Sequence, residues 1–192
     1  DTDQAVLIEK VLEAATRVTQ ADTGWFLVRD DASKAYLLGG QRNLPSSLML
    51  NLNQPWDDGI SSLVAMSGET LSIHGEPLKR FKIASLGQSA LIVPVKAQKQ
   101  VIALLVVLRK TAAAFSESDQ HLLEALADYV SISLTNARLF KTIEARSQAQ
   151  QALAESAQAG EKIVNDVLRV AKKELRIPIE AARAALERLV KD

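Results

Sequence analysis

Residues 89–108 read SALIVPVKAQKQVIALLVVL and contain two apolar runs separated by a polar pair. The runs extend from Ala90 to Lys96 and from Val101 to Leu108, and Gln98-Lys99 lies between them. Short, nearly continuous runs rich in Val, Ile and Leu are typical of strands that are buried on both faces. A polar two-residue connection favours a hairpin. We therefore expect these residues to form the central strand pair of a sheet.

Upstream of this hairpin, helix and strand patterns alternate. Residues 4–19 carry apolar side chains at three- and four-residue steps, which predicts an amphipathic helix. Alternating or β-branched patterns predict strands, and turn residues separate them. The predicted elements after the helix are strands at 25–28, 34–38 (ended by Gly39-Gly40) and 48–52, a short helix at 60–66, a short strand at 71–73 and an irregular stretch at 75–88.

Downstream, Ser116 begins the longest predicted element. It is followed by acidic residues at 117 and 119, a pattern typical of a helix N-terminus. From there to Arg176 the sequence has no proline and one glycine, Gly160. About sixty helical residues would extend roughly 90 Å, more than one small domain can cover. A second copy of the same helix is the simplest partner, so we expect a parallel homodimer.

Apolar residues on this helix form two series with heptad spacing, and the predicted dimerisation residues come from them. Those residues are Leu123, Leu126, Val130, Phe140, Leu153, Val164 and Val167. The two series differ in phase, because Leu153 follows Phe140 by thirteen residues and not by fourteen. Between them, residues 144–158 are mostly small and polar. This pattern indicates a weak segment where the coil slips or rotates; the alternative is a solvated linker helix.

Composition excludes several classes of function. The 192 residues carry 23 basic and 23 acidic side chains, interleaved, which argues against nucleic acid as a partner. The absence of cysteine excludes disulfides and thiolate metal sites, and two distant histidines make no metal site. No apolar run reaches the roughly 20 residues that span a bilayer. We expect a cytoplasmic piece of a larger protein that is itself cytoplasmic or membrane-tethered, since the chain lacks an initial Met and reads as helix near both ends.

Five segments together resemble motifs of the GAF domain family, over residues 4–140. They are DGISSLVAMSGETL at 58–71, SALIVPV at 89–95, VIALLVV at 101–107, FSESDQHLL at 115–123 and NARLF at 136–140. Ser62 stands where the family often has glycine. The resemblance implies an α+β fold: an antiparallel sheet of five or six strands with helices on one face. It also implies two parts, a sensory domain at 1–140 and a signalling helix at 141–192.

The resemblance further implies a ligand pocket between the sheet and residues 44–88. Within that stretch, Trp56, His74, Phe81 and Ile83 are the candidate ligand-binding residues, although ordinary packing would also explain each of them. Family members that bind bilins covalently or reduce methionine sulfoxide use cysteines, and this chain has none. The residue set of the cyclic-nucleotide-binding members is not traceable here. The sequence does not identify the ligand or any cofactor.

A second, fainter resemblance involves residues 173–179, KELRIPI. They are similar to the H-box of sensor histidine kinases, which reads HELRTPL. Lys173 occupies the position of the phosphoacceptor histidine, and an ammonium group cannot take that role. A chance match within a helix is the alternative.

These observations together predict a non-catalytic module of a signal-transduction protein, of the two-component kind. It would bind a small ligand or a partner and relay the signal through a dimeric helix to an output domain in the same or a partner protein. Two alternatives stay open. The chain could be a structural dimerisation module whose pocket is filled by its own side chains, or an inactive remnant of a histidine kinase core.

Overall fold

A computed structural model describes residues 2–51 and 54–190. Three α-helices and five strands make up most of the described chain, with three short 3-10 helices between them. In order, the elements are α1 (Thr2–Val18), β1 (Thr23–Arg29), β2 (Tyr36–Arg42), a 3-10 helix (Ser46–Asn51), α2 (Ser61–Ser67), β3 (Leu71–His74), 3-10 helices (Glu76–Arg80 and Lys82–Ser85), β4 (Ser89–Ala97), β5 (Gln100–Arg109) and α3 (Glu117–Leu189).

The five strands form one antiparallel sheet in the order β2-β1-β5-β4-β3. The predicted central hairpin is confirmed, because β4 and β5 pair from Ser89↔Arg109 to Ala97↔Gln100. Its two-residue turn has φ of 51° at Gln98 and 66° at Lys99, as a type I′ turn requires. The predicted fold class, an α+β sheet protein with a long C-terminal helix, is confirmed with five strands.

The predicted strand at residues 48–52 is wrong. Ser46–Asn51 is a 3-10 helix, and Leu52 and Asn53 lie outside the described residues. The Leu48 N–H donates to the carbonyl of Pro45 at 3.0 Å, which closes a turn and prevents extension of the chain. Alternating leucines therefore did not distinguish a strand from a tight helix over so few residues.

Strand β2 continues to Arg42, beyond the predicted end at Gly39-Gly40. The glycines mark a close approach between layers and not a turn. A Cβ at Gly40 would lie 2.5 Å from Cγ2 of Ile8 on α1. Glycine at this position therefore lets α1 pack directly on the sheet.

The sheet separates two cores. One face packs against α1 and the first part of α3, around Phe26, Leu105 and Leu123. The other face packs against α2 and the 3-10 helices, around Trp25, Ile60 and Ile83. Every side chain from Val101 to Leu108 is buried, which agrees with a central strand covered on both faces.

Helix α3 begins at a capping box. The Asp119 N–H donates to Oγ of Ser116 at 3.0 Å, and the Ser116 N–H donates to Oδ2 of Asp119 at 2.9 Å. The chain divides into two compact units, Asp1–Arg138 and Leu139–Asp192. None of the helices in the described part of the chain is both long enough and apolar enough to cross a bilayer.

Candidate functional site

A cavity of about 390 Å³ opens on the α2 side of the sheet. The loop before α2 and the 3-10 helix Lys82–Ser85 form most of its wall. Of the predicted ligand-binding residues, Trp56 and Ile83 lie in this wall. The other lining residues are Leu48, Gln54, Pro55, Asp57, Asp58, Lys82, Ser85 and Leu86. Polar and apolar groups therefore both face the cavity, as is usual for small-molecule sites.

Asp58 fixes the shape of this wall. Its side chain is buried, and Oδ1 accepts from the N–H groups of Ile60 and Ser61 at 3.0 and 2.7 Å. Oδ2 accepts from the Ser61 hydroxyl at 2.6 Å and from Nε1 of Trp56 at 2.9 Å. The Asp58 carboxylate thus accepts from the N–H of Ser61, the first residue of α2, and ties the loop to the beginning of that helix. The same carboxylate holds the Trp56 indole against the loop.

The loop and the 3-10 helix are tied to each other at two points. The Ile83 N–H donates to the Asp58 carbonyl at 3.0 Å. At the surface, the Lys82 ammonium donates to Oδ2 of Asp57. This hydrogen bond, and then the charge of Lys82, lower the pKa of Asp57, so the carboxylate is ionised at neutral pH. Both side chains are largely exposed, so the pair adds little stability and is free to open.

Two indoles connect the cavity to the sheet. The rings of Trp56 and Trp25 have centroids 5.4 Å apart and planes tilted by 45°. Trp25 is completely buried on β1, and its Nε1–H has no acceptor among the described residues. A buried donor without a partner is costly. Because the two rings lie against each other, a change in the position of Trp56 would also displace Trp25 on strand β1.

The other two predicted ligand-binding residues do not line the cavity. His74 is exposed at the end of β3, where it pairs with Ser89. Phe81 is half-buried and packs on the α2-side core beside Gly59. The prediction missed Asp57 and Lys82 as a pair. They are 25 residues apart, and no local pattern links them.

Arg109, at the end of β5, connects the sheet to the beginning of α3. Its guanidinium donates to the carbonyls of Thr19 and Ala114 and to Oδ2 of Asp119, the last at 3.2 Å. The same group lies 4.1 Å above the ring of Phe115. One largely buried cation thus joins the end of α1, strand β5 and the N-terminus of α3. The sequence analysis gave this residue no role.

The structure places two predicted dimerisation residues inside the chain's own core. Leu123 and Val130 have no exposed surface, and Leu126 packs partly against the same core. A side chain without exposed surface cannot contact a second chain. The exposed apolar residues of α3 in the first unit are instead Leu122, Tyr129 and Ile132.

Eight of the exposed apolar residues of α3 share one heptad phase, which the two series predicted from the sequence do not. Leu139 follows Ile132 by seven residues, and Leu153 and Val167 follow at intervals of fourteen. All four are more than half exposed. We call this set, together with Leu122, Tyr129, Ile143 and Val164, the outer stripe. Its members keep one heptad register. Phe140 is exposed beside the stripe, and Lys173 is exposed in the second unit.

Comparisons with known proteins agree with this architecture. A family model described as a GAF domain matches residues 1–135. The fold is similar to that of the GAF domain from an Acinetobacter phosphoenolpyruvate-protein phosphotransferase, at 20% identity and a TM-score of 0.58. The match covers 72% of this chain and 94% of that one. No curated protein matches the sequence at a significant level.

Two further solved structures are similar in fold. One is a domain of a protein named as a two-component sensor histidine kinase from Sinorhizobium meliloti 1021, at 15% identity and a TM-score of 0.55, covering 71% of this chain and 94% of that one. The other is a type II free methionine-R-sulfoxide reductase from Thermoplasma acidophilum, at 19% identity and a TM-score of 0.54, covering 67% and 92%. At these identities, the likeness concerns the fold alone.

Proposed function

Because the chain belongs to the GAF domain family, we propose that it is a non-catalytic sensory module that binds a small ligand and relays the signal through a dimeric helix. The observation that carries this proposal is that α3 has two apolar faces, one buried in the domain and one exposed. Its inner side chains Leu123 and Val130 complete the domain core. Its outer stripe stays exposed in heptad spacing. A helix with these two faces can respond to the domain and pair with a second copy.

The ligand would occupy the cavity beside Trp56. A volume of about 390 Å³ suits a molecule of modest size. The Asp57–Lys82 pair spans the loop and the 3-10 helix, so its opening widens the entrance without disturbing the core. Asp58 is already committed to four hydrogen bonds, which argues against a role for it as a catalytic acid or base.

The relay would begin at the indole pair. Trp56 contacts Trp25 on β1, and β1 pairs with β5 over most of its length. At the end of β5, Arg109 holds the N-terminal turn of α3 through Asp119. A ligand that moves Trp56 would therefore shift the strand pair and, through the guanidinium, the helix. The ligand acts only to the extent that it binds one arrangement more tightly than the other.

The second chain would pair along the outer stripe. Two exposed heptad stripes bury each other in a coiled coil, and this gives parallel chains the same register. The output domain would follow the helix, in the same or in a partner protein.

Native mass spectrometry tests both parts of this proposal. We expect a dimer of the 20.9 kDa chain that carries an additional small-molecule mass. Changing Ile132→Asp should weaken dimerisation by about 2–4 kcal/mol, because two charges would be buried in the seam. Leu63→Asp is the matched control, since Leu63 is a similarly sized exposed residue on α2.

The outcomes separate the two parts. A monomer at all concentrations, or an equal loss from Leu63→Asp, would contradict the dimeric relay. A dimer that never retains or binds a small molecule would instead favour the structural dimerisation module, with the cavity closed by its own side chains.

A further inference from the structure

A second groove, of about 520 Å³, is lined by four cations and by no acidic residue among the described ones. The cations are Arg29, Lys34, Lys96 and Lys99. The groove shares no lining residue with the cavity beside Trp56. In a chain whose net charge is zero, four basic side chains around one depression are a local excess. Such a depression concentrates field lines that attract anions.

The fold assembles this groove from two hairpins. Arg29 ends β1, and Lys34 lies in the connection to β2. Lys96 lies on β4, and Lys99 lies in the turn before β5. Since β1 pairs with β5 through Val28↔Ala103, both hairpin turns lie at the same end of the sheet. The C-terminal end of α2 closes the third side.

None of the four cations has a carboxylate within ion-pair distance among the described residues. Asp30, next to Arg29, instead accepts hydrogen bonds from the N–H and hydroxyl of Ser33, both at 2.7 Å. Lys96 also lines a neighbouring cleft with Glu69, Glu124 and Asp128, without pairing to any of them. Hydrogen bonds from Ser33 and, to a lesser extent, the charge of Lys34 lower the pKa of Asp30. Since the four cations have no ion pair among the described residues, they repel one another, and a bound anion would relieve that repulsion.

Two of these lysines sit in backbone conformations that disfavour them. The φ angles are 60° at Lys34 and 66° at Lys99, in the left-handed region where glycine and asparagine are preferred. Because lysine at these two positions has a conformational cost, we infer that the Lys34 and Lys99 side chains have a role in the groove.

The remaining wall of the groove is mixed: Ser67 and Gln100 are polar, and Met66, Ala65 and Val101 provide an apolar part. Met66 is 86% exposed, and the half-buried Tyr36 lines the same groove. The Tyr36 hydroxyl donates to the carbonyl of Val101 at 3.0 Å, which fixes the ring. Burial raises the pKa of Tyr36, so this donor stays neutral. An exposed thioether is an adaptable apolar contact for a ligand.

We propose that this groove binds a small molecule with at least two phosphate groups and an apolar part. The phosphates would lie among Lys34, Lys96, Lys99 and Arg29, and the apolar part against Met66. A depression of this volume between two hairpins fits a small ligand better than an extended acidic peptide or a flat membrane surface. This site is separate from the cavity of the proposed function and does not depend on it.

Calorimetric titration of the full chain with inorganic pyrophosphate tests the proposal, with amide chemical shifts to locate binding. We expect saturable binding, with shifts at residues 34, 66 and 99. Lys99→Gln should weaken binding about tenfold, because it removes one charge-assisted contact. Lys110→Gln is the matched control: it is an exposed lysine beyond the other end of β5, and it should leave the affinity unchanged.

Lys99→Gly separates binding from folding. Glycine suits the left-handed turn, so this variant should lose affinity as Lys99→Gln does, while its thermal midpoint stays equal or rises. The absence of saturable binding, or an equal loss from Lys110→Gln, would overturn the proposal. So would tighter binding of a glutamate peptide of equal charge, or of phosphoinositide vesicles, than of pyrophosphate.

Discussion

The Asp58 carboxylate accepts four hydrogen bonds, which join Trp56 to the beginning of α2 in the cavity wall. The substitution Asp58→Asn removes the negative charge and leaves a side chain of nearly the same shape. The amide oxygen can still accept from Ile60 and Ser61. The amide nitrogen, however, would face the Nε1–H donor of Trp56, which would lose its acceptor. A buried donor left unpaired costs about 1–3 kcal/mol.

We therefore expect Asp58→Asn to lower the free energy of unfolding by that amount in urea titrations followed by tryptophan fluorescence. Asp57→Asn is the control at the neighbouring position, where the carboxylate is largely exposed. It should change stability little, because exposed ion pairs contribute little. Equal effects at the two positions would show that Asp58 does not organise the wall.

At the scale of elements, Gly87 and Gly160 differ in the space that surrounds them, so the same substitution by alanine has opposite expected effects. A Cβ on Gly87 would lie 2.5 Å from the carbonyl oxygen of Arg109, whereas a Cβ on Gly160 in α3 would meet nothing within 4 Å. Gly87→Ala should therefore destabilise the sheet unit by about 1–3 kcal/mol through overpacking. Gly160→Ala should stabilise the helix by about 1 kcal/mol, because alanine is the better helix former.

Thermal unfolding followed by circular dichroism at 222 nm compares the two variants with the parent chain. A loss of helix stability in Gly160→Ala would reverse the expectation. It would mean that a partner backbone approaches residue 160 too closely for a methyl group.

The elements also show what sequence can and cannot reveal. Residues 89–108 predicted the central hairpin because an apolar run of that length fits a strand buried on both faces. Ser116 and the acid at 119 predicted the beginning of α3 because a capping box involves only neighbouring residues. The strand predicted at 48–52 is wrong because a few alternating leucines fit a strand or a tight helix equally well.

The dimerisation residues predicted in the first part of α3 include buried ones for a different reason. That part of the helix carries apolar side chains on two faces. Periodicity finds such faces but does not reveal which one meets the chain's own sheet. Leu123 and Val130 lie toward the sheet, and Tyr129 and Ile132 do not. The Asp57–Lys82 pair had no sequence signal either, because only folding brings the two residues together.

At the scale of the whole molecule, the outer stripe changes the expected form of the signal. The sequence predicted rotation or slip of the coil, because the two apolar series differed in phase. Phe140, which sets that difference, lies beside the outer stripe, whereas the eight exposed residues of the stripe share one register from Leu122 to Val167. Arg146 and Gln150 occupy stripe positions by spacing, so the coil would be weak there without changing register. We therefore expect rotation within one register and not slip between two.

Disulfide cross-linking of single-cysteine variants tests this account most directly, because the chain has no cysteine of its own. A parallel coil in one register brings Leu153→Cys of one chain next to Leu153→Cys of the other, and likewise Ile132→Cys and Val167→Cys. Glu155→Cys, two residues from Leu153, would lie on the outside. We predict rapid cross-linking at 132, 153 and 167 and little at 155. Equal rates at 153 and 155, or cross-linking at 153 without 132 and 167, would contradict a relay helix that pairs along one continuous stripe.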